Sequence, residues 1–305
     1  MRLDSNLSNL SQLIKGAARH FGIEDEYVEK DYWLVLLLKQ IMSKNQGYVF
    51  KGGTSLSKCY HLINRFSEDI DISYSTPYDE LTVNDLNRKF KGITTSIREI
   101  GLDIENKDRL RRNAYFNQFR CPYSSTIQSV GIEKCVIIEL AGQTPSFPSN
   151  IKKIQSFIGE YLHVIGRDDL VELYELETFD INVQSLSRTI VDKTFALCDY
   201  YLSNKCNKHS RHIYDIHKIL SSITLDDELA KLFLEVREYR SKISICESAK
   251  EGVSLAEIMQ NIIEKESYKD DYEKLTRPLL YESISYAKCA DSLAKLQLFL
   301  KNHQL

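Results

Sequence analysis

Two neighbouring segments constrain this chain more than any other feature. Phe50-Lys51-Gly52-Gly53-Thr54-Ser55-Leu56-Ser57-Lys58 places a glycine pair between a short apolar run and a helix-forming stretch. Arg65-Phe66-Ser67-Glu68-Asp69-Ile70-Asp71-Ile72 then alternates carboxylate with isoleucine. Strand side chains have a period of two, so Asp69 and Asp71 share one face and Ile70 and Ile72 the other. Two carboxylates side by side repel unless a cation lies between them. Magnesium suits that position, because it takes one or two carboxylates and completes its shell with substrate phosphate oxygens. In a two-metal site one ion activates the attacking oxygen and the other holds the triphosphate.

The glycine pair supplies the complementary half. Without Cβ atoms, Gly52 and Gly53 let backbone amides approach a phosphate closely. The helix that follows offers N–H donors and a partial positive charge at its start. Thr54 and Ser55 can add hydroxyl donors. The segment lacks the GxxxxGK[ST] spacing of a P-loop. Alone, the glycine pair reads as a tight turn and the two aspartates as a solvated strand face. In tandem they read as one site for a nucleoside triphosphate on a metal. Glu139, inside an otherwise apolar strand, is the candidate third metal ligand, since a lone carboxylate there needs a partner. The alternatives are that Glu139 faces water at the strand end, or that Glu133 takes the role.

The rest of the chain bounds this reading. It has 305 residues, 43% hydrophobic and 27% charged, enough for one large domain or two ordinary ones with a real core. A net charge of -3 excludes a general polycation, so any nucleic-acid contact must use a local basic surface. The seven cysteines include no CxxC pair, which argues against a structural zinc site and for buried free thiols in a reducing compartment. The N-terminus lacks the apolar run of a signal peptide, and Trp33 to Leu38 falls short of the roughly 20 apolar residues that span a bilayer. The expected location is the cytoplasm.

Periodicity predicts helices over 7–20 and 25–44, with Asp25 capping the second. A short strand at Tyr48 to Phe50, a helix over 55–63, a strand over 69–74 and a helix over 86–100 follow. Extended segments are expected over 114–121 and 134–141, the latter carrying the near-continuous apolar run Cys135-Val136-Ile137-Ile138 of a central strand. Residues 143–150 read as a loop and 174–183 as a last strand. Beyond that, helices are expected over about 187–203, 211–221, 226–242, 254–265 and 271–303. The composition shifts near 185, so the expected organisation is α+β over 1–185 and helical over 186–305.

A second set of residues suggests RNA. Lys107, Arg109, Arg111, Arg112 and Arg120 interleave with Tyr115, Phe116 and Phe119, a mixture that suits phosphate contacts and base stacking. The alternative is a solvated edge hairpin. Lys205, Lys208, His209, Arg211 and His212 could extend the same surface.

With KGGTSLSK and RFSEDIDIS in place, the chain resembles the AbiEii/AbiGii toxin family of nucleotidyltransferases, a branch of the polymerase-β-like superfamily whose signature is hG[GS] followed by Dh[DE]h. Glu29-Lys30-Asp31-Tyr32-Trp33 is similar to the helical segment before that signature. Val191-Asp192-Lys193-Thr194-Phe195-Ala196-Leu197 and Ser210-Arg211-His212-Ile213-Tyr214-Asp215-Ile216 are similar to later motifs. The resemblance runs from about 24 to 221.

The resemblance implies a polymerase-β-like core with a mixed sheet, followed by a helical part. It implies a metal-dependent nucleotidyltransferase acting as the toxin of a type IV toxin–antitoxin or abortive-infection pair in phage defence. NTP is the implied substrate, tRNA or another RNA 3′ end the leading acceptor, and a cognate antitoxin a possible partner. Carried over by position, Gly53 and Ser55 belong to the phosphate-binding turn, which with Gly52 and Thr54 makes the expected nucleotide site, and Asp69 and Asp71 hold Mg²⁺. Lys193 and Asp215 complete the catalytic set. Lys193 would meet the charge that develops as pyrophosphate leaves. Asp215 could pair with Arg211 one helical turn away, orient Lys193, or act as a base. A small-molecule or protein hydroxyl as acceptor, or a non-catalytic nucleotide-binding regulator, are the alternatives.

Overall fold

A computed structural model describes residues 1–45, 47–128 and 131–305. The chain divides into two compact units, one formed by Met1–Cys59, Ser67–Pro145 and Ser149–Val183, the other by Tyr60–Phe66, Ser146–Pro148 and Gln184–Leu305.

The first unit is built on a six-stranded mixed sheet. Its strands are β1 (Tyr48–Lys51), β2 (Asp69–Tyr74), β3 (Phe116–Pro122), β4 (Cys135–Ala141), β5 (Ser149–Ile154) and β6 (Phe179–Gln184), in the order β3-β4-β2-β1-β6-β5. The alternation seen in the sequence sets its faces. Ile70 and Ile72 of β2 are fully buried, while Asp69 and Asp71 stay half-buried on the other side. β2 pairs antiparallel with β1 and parallel with β4, which places Asp71 opposite both Lys51 and Glu139.

Helix α1 (Leu7–Phe21) and helix α2 (Asp25–Lys44) match the apolar stripes that predict them. Glu24, not Asp25, stands at the cap of α2, and no side-chain bond closes that end. Asp25 instead sits in the first turn, where its charge favours the helix dipole. Helix α3 (Gly52–Lys58) is shorter than expected and begins at the glycines themselves. The expected continuation to Ile63 fails because His61 takes a left-handed φ of 51° and Arg65 bridges to Leu280. Helix α4 (Val83–Glu99) opens with a capping box between Thr82 and Asp85. Its Phe90 packs on Phe119 of β3, with ring centroids 5.6 Å apart.

The span from 149 to 178 departs most from expectation. It holds the edge strand β5, helix α5 (Phe157–Val164) and helix α6 (Asp168–Leu173), and the last strand begins at Phe179 rather than Tyr174. The outermost strand β5 leaves Ser149, Asn150 and Ile151 exposed, so no burial pattern announces it. Tyr174 and Leu176 are buried, but in the turn after α6 rather than in a strand.

The second unit is helical: α7 (Leu186–Leu202), α8 (Arg211–Leu220), α9 (Asp227–Ser241), α10 (Leu255–Glu264), the single turn α11 (Lys269–Asp271) and α12 (Tyr286–Asn302). One long helix over 271–303 does not form. A π-helical turn at Tyr272–Thr276 gives way to a 3₁₀ turn containing Pro278, whose ring removes an N–H donor. The chain restarts at Ser285, which accepts a bond from the Lys288 N–H and caps α12. The mixed sheet followed by helices is the α+β arrangement expected. No helix among the described residues is long and apolar enough to cross a membrane.

Candidate active site

The glycine turn and the paired aspartates form one structural element. Gly52 follows β1 and starts α3 with φ +76°, a conformation that favours glycine. Its Cα lies against the carboxylate of Asp71. A Cβ built there would come within 1.9 Å of Asp71 Oδ2 and 2.6 Å of its Cγ. Glycine is thus required twice, by the backbone and by the carboxylate beside it. The first turn of α3 directs its N–H groups, which have no partner within the helix, from this same point.

The hydroxyls expected to meet phosphate point elsewhere. Thr54 Oγ1 donates to the Asp69 carbonyl at 2.6 Å and lies 3.0 Å from Ser67 Oγ, which ties α3 to the start of β2. Ser55 Oγ donates to the Gly52 carbonyl at 2.9 Å and closes the turn. Both side chains are buried. What this turn offers a phosphate is backbone.

Across the sheet, Glu139 stands beside Asp71 in the β2–β4 ladder and shares its face. Gln118 Nε2 donates to Glu139 Oε1 at 2.9 Å from β3. The inward carboxylate therefore has a partner in the sheet itself. Glu133, the rival third acid, pairs with Arg120 instead. Among the described residues no group of three or more histidine, cysteine, aspartate or glutamate side chains is gathered closely enough to hold a metal alone. Asp69 and Asp71 nonetheless fit a hard divalent cation, which needs only one or two carboxylates when a triphosphate supplies further oxygens.

Sequence reasoning missed what holds these two arms together. Three consecutive residues of α2 each secure a different segment. Glu29 accepts bonds from Ser125 Oγ (2.5 Å), Thr126 N (2.6 Å) and Thr126 Oγ1 (2.8 Å). Lys30 Nζ reaches Glu68 at 2.5 Å, next to Asp69. Asp31 pairs at 2.9 Å with Lys58, the last residue of α3, and accepts the Phe157 N–H at 2.7 Å. All three are nearly fully buried. Burial works against the Lys58 charge, but Asp31 and Glu160 outweigh it and raise its pKa above the ordinary lysine value. The available signal was the charged triplet Glu29-Lys30-Asp31 inside an otherwise apolar helix.

In the second unit, Lys193 of α7 and Asp215 of α8 meet at 2.7 Å. Arg65 grips the same carboxylate with two bonds, Nε to Oδ1 at 3.0 Å and Nη2 to Oδ2 at 2.9 Å. All three side chains are buried. Of the three roles open to Asp215, orienting Lys193 fits best, since Arg65 and Lys193 rather than Arg211 take its oxygens. Burial alone would raise the Asp215 pKa, but the two cations prevail and hold it well below the usual carboxylate range. A carboxylate so held is a weak base. Arg65, which sequence analysis quoted without a role, is the missing member of this triad.

The expected RNA-contacting arginines part company. Arg120 is held by Glu105 and Glu133, which neutralise it. Arg111 turns its guanidinium onto the carbonyls of Asp108 and Leu110. Arg109 and Arg112 are exposed, and Phe119 is core. In the other basic cluster, burial, aided by the nearby Lys193 charge, lowers the His212 pKa well below its usual value. Burial thus disfavours a charge on this imidazole.

The family model for the AbiEii nucleotidyl transferase toxin of the type IV toxin–antitoxin system matches residues 36–295. The chain belongs to this family. The AbiEii match begins after Glu29–Trp33, and it extends past residue 221 through α10 into α12, where sequence reading found no motif. None of the curated proteins matches the chain. A solved structure of a candidate nucleotidyltransferase from H. pylori is similar at 13% identity and a TM-score of 0.48, covering 92% of this chain and 98% of that one. Membership makes this AbiEii protein a nucleotidyltransferase of a toxin–antitoxin system.

Proposed function

We propose that this AbiEii protein transfers a nucleotidyl group from an NTP, bound with Mg²⁺ at Asp69 and Asp71, to an RNA 3′ hydroxyl, with tRNA as the leading acceptor. The acceptor oxygen bonds to the α-phosphorus, the bond to the bridging oxygen breaks, and pyrophosphate leaves with that electron pair. The acceptor proton passes to solvent. A divalent cation at the aspartates would polarise the phosphate and offset the developing charge. The amides at Gly52 and Gly53 receive phosphate oxygens. Glu139 is a third ligand that the arriving substrate would have to recruit from Gln118.

The observation that carries this reading is the contact between Gly52 and Asp71. It brings the glycine turn and the Asp71 carboxylate within one residue's reach of each other, which supports a shared site for phosphate and metal. Lys193 and Asp215 enter the proposal as a pair, with Asp215 a positioning residue that holds the Lys193 ammonium at 2.7 Å. The reaction belongs in the cytoplasm, with a cognate antitoxin as the restraining partner.

Incubation of the protein with each labelled NTP, Mg²⁺ and total RNA tests this. Label is expected in a tRNA-sized band, and Asp71→Asn should abolish it. Label in protein or in a small molecule, with none in RNA, would overturn the acceptor. Equal labelling by Asp71→Asn would overturn the metal site.

A further inference from the structure

Helix α4 carries Arg88, Lys91 and Arg98 along one side, because steps of three and seven residues return to the same helical face. The row extends about 15 Å at 1.5 Å per residue. The segment beyond Ile104 faces it with Lys107 and Arg112. These five cations line a groove of about 770 Å³ whose apolar contacts include Phe90, Ile104 and Leu110. No acidic residue lines it among the described residues. Arg88 pairs with Asp85 at 2.6 Å and Lys107 with Asp103 at 3.0 Å, both at the surface. Lys91, Arg98 and Arg112 make no ion pair among the described residues.

In a protein of net charge -3 this row is a local concentration of positive charge, which attracts anions. One phosphate would call for converging cations. A file of cations along a helix instead suits a polymer of phosphates. Just past Arg112, Tyr115 is half-exposed and lies 4.2 Å from the Tyr78 ring. These rings offer faces on which bases can stack. Cations in file beside an exposed ring match the phosphates and bases of a nucleic acid. The groove is also separate from the aspartates. Phe90 of α4 packs on Phe119, which pairs with Ile138 on the face of the sheet opposite Asp71.

We propose that this groove binds the sugar-phosphate backbone of a single-stranded RNA, at a distance from the end that reacts. The inference rests on the proposed function only in taking the bound strand to be the acceptor.

The test is fluorescence anisotropy of a labelled 20-nucleotide single-stranded RNA across a salt series, with the full-length protein and the double variant Lys91→Glu/Arg98→Glu. Loss of two phosphate contacts should weaken binding roughly tenfold or more and flatten the slope of log affinity against log salt by about two. Binding of ATP with Mg²⁺ should match the wild type, and the milder Lys91→Gln/Arg98→Gln should move the same way if the reversals unfold the protein. Unchanged RNA affinity and slope in variants that still bind ATP would overturn the groove. Displacement of the RNA by polyglutamate at lower concentrations than by unlabelled RNA would also overturn it, in favour of an acidic protein. Groove-dependent binding without nucleotide transfer to RNA would overturn the proposed function and leave the groove standing.

Discussion

Gly52 and Asp71 touch so closely that a single added methyl group on the glycine would lie 1.9 Å from the aspartate oxygen. The two residues belong to different motifs, separated by the rest of α3 and a connecting segment. Their contact joins the glycine turn and the aspartate strand, the proposed phosphate and cation sites, into one cradle.

Gly52→Ala must shift either the turn or the Asp71 side chain and also strain a left-handed backbone. A stability loss of about 1–3 kcal/mol is expected from the backbone strain alone. Nucleotide transfer should fall below detection even where the protein still folds. Thermal melting read beside a labelled-NTP assay separates the two effects, and full transfer by Gly52→Ala would contradict the contact.

Asp69→Asn and Asp71→Asn each remove a negative charge while keeping shape. Transfer should drop by at least about 100-fold, the scale of several kcal/mol of transition-state stabilisation by a metal. Melting temperature in the absence of nucleotide should change little or rise, since two adjacent carboxylates repel. The stabilisation that Mg²⁺ with NTP adds to the wild type should be lost, which a melting series with and without ligand reads directly.

Asp215→Asn leaves Arg65 and Lys193 buried without their counter-charge. A cost of about 3–5 kcal/mol is expected by chemical denaturation. The wild type should also show an acid dependence that the variant lacks. Because the folded-state pKa of Asp215 lies below its unfolded value near 3.8, its stabilisation is present above that value. It is lost as pH falls from there toward the folded pKa. The difference in stability between the two proteins should be constant at neutral pH and shrink below about pH 4.

Asp31→Asn leaves the buried ammonium of Lys58 with only Glu160, at 3.5 Å, and about 3 kcal/mol of stability should go with the change. The double variant Asp31→Leu/Lys58→Met removes both charges and should recover most of that loss. If α2 positions the cradle, transfer by the double variant stays reduced although stability returns. Equal recovery of both would show that the pair acts on stability alone.

Much of the fold could be read from the chain because its signals are local. The alternation of Asp69-Ile70-Asp71-Ile72 and the apolar run at 135–138 follow the period of a strand. The stripe on α2 follows the period of a helix. Edge strand β5 escaped because Ser149, Asn150 and Ile151 face solvent and carry no pattern. The stretch 271–303 looked like one helix because its composition is helical throughout, while Pro278 and Ser285 impose a break and a restart. Arg120 and Phe119 looked alike as members of a basic, aromatic segment. One is clamped by two glutamates and the other is core, and both depend on residues distant in sequence.

The sequence by itself determined the chemistry on offer: two carboxylates on one strand face, a glycine turn before a helix, and membership of a nucleotidyltransferase family. These rest on residue type and short spacing, which no folding step alters. Only the tertiary structure decided which groups are free to act. It turned Thr54 and Ser55 into props, bound Asp215 to Arg65 and Lys193, assigned Lys30 and Asp31 to holding the cradle, and aligned the cations of α4 into a groove. Those outcomes depend on burial and on partners far along the chain, because a polar group taken out of water must bond to whatever the fold brings beside it.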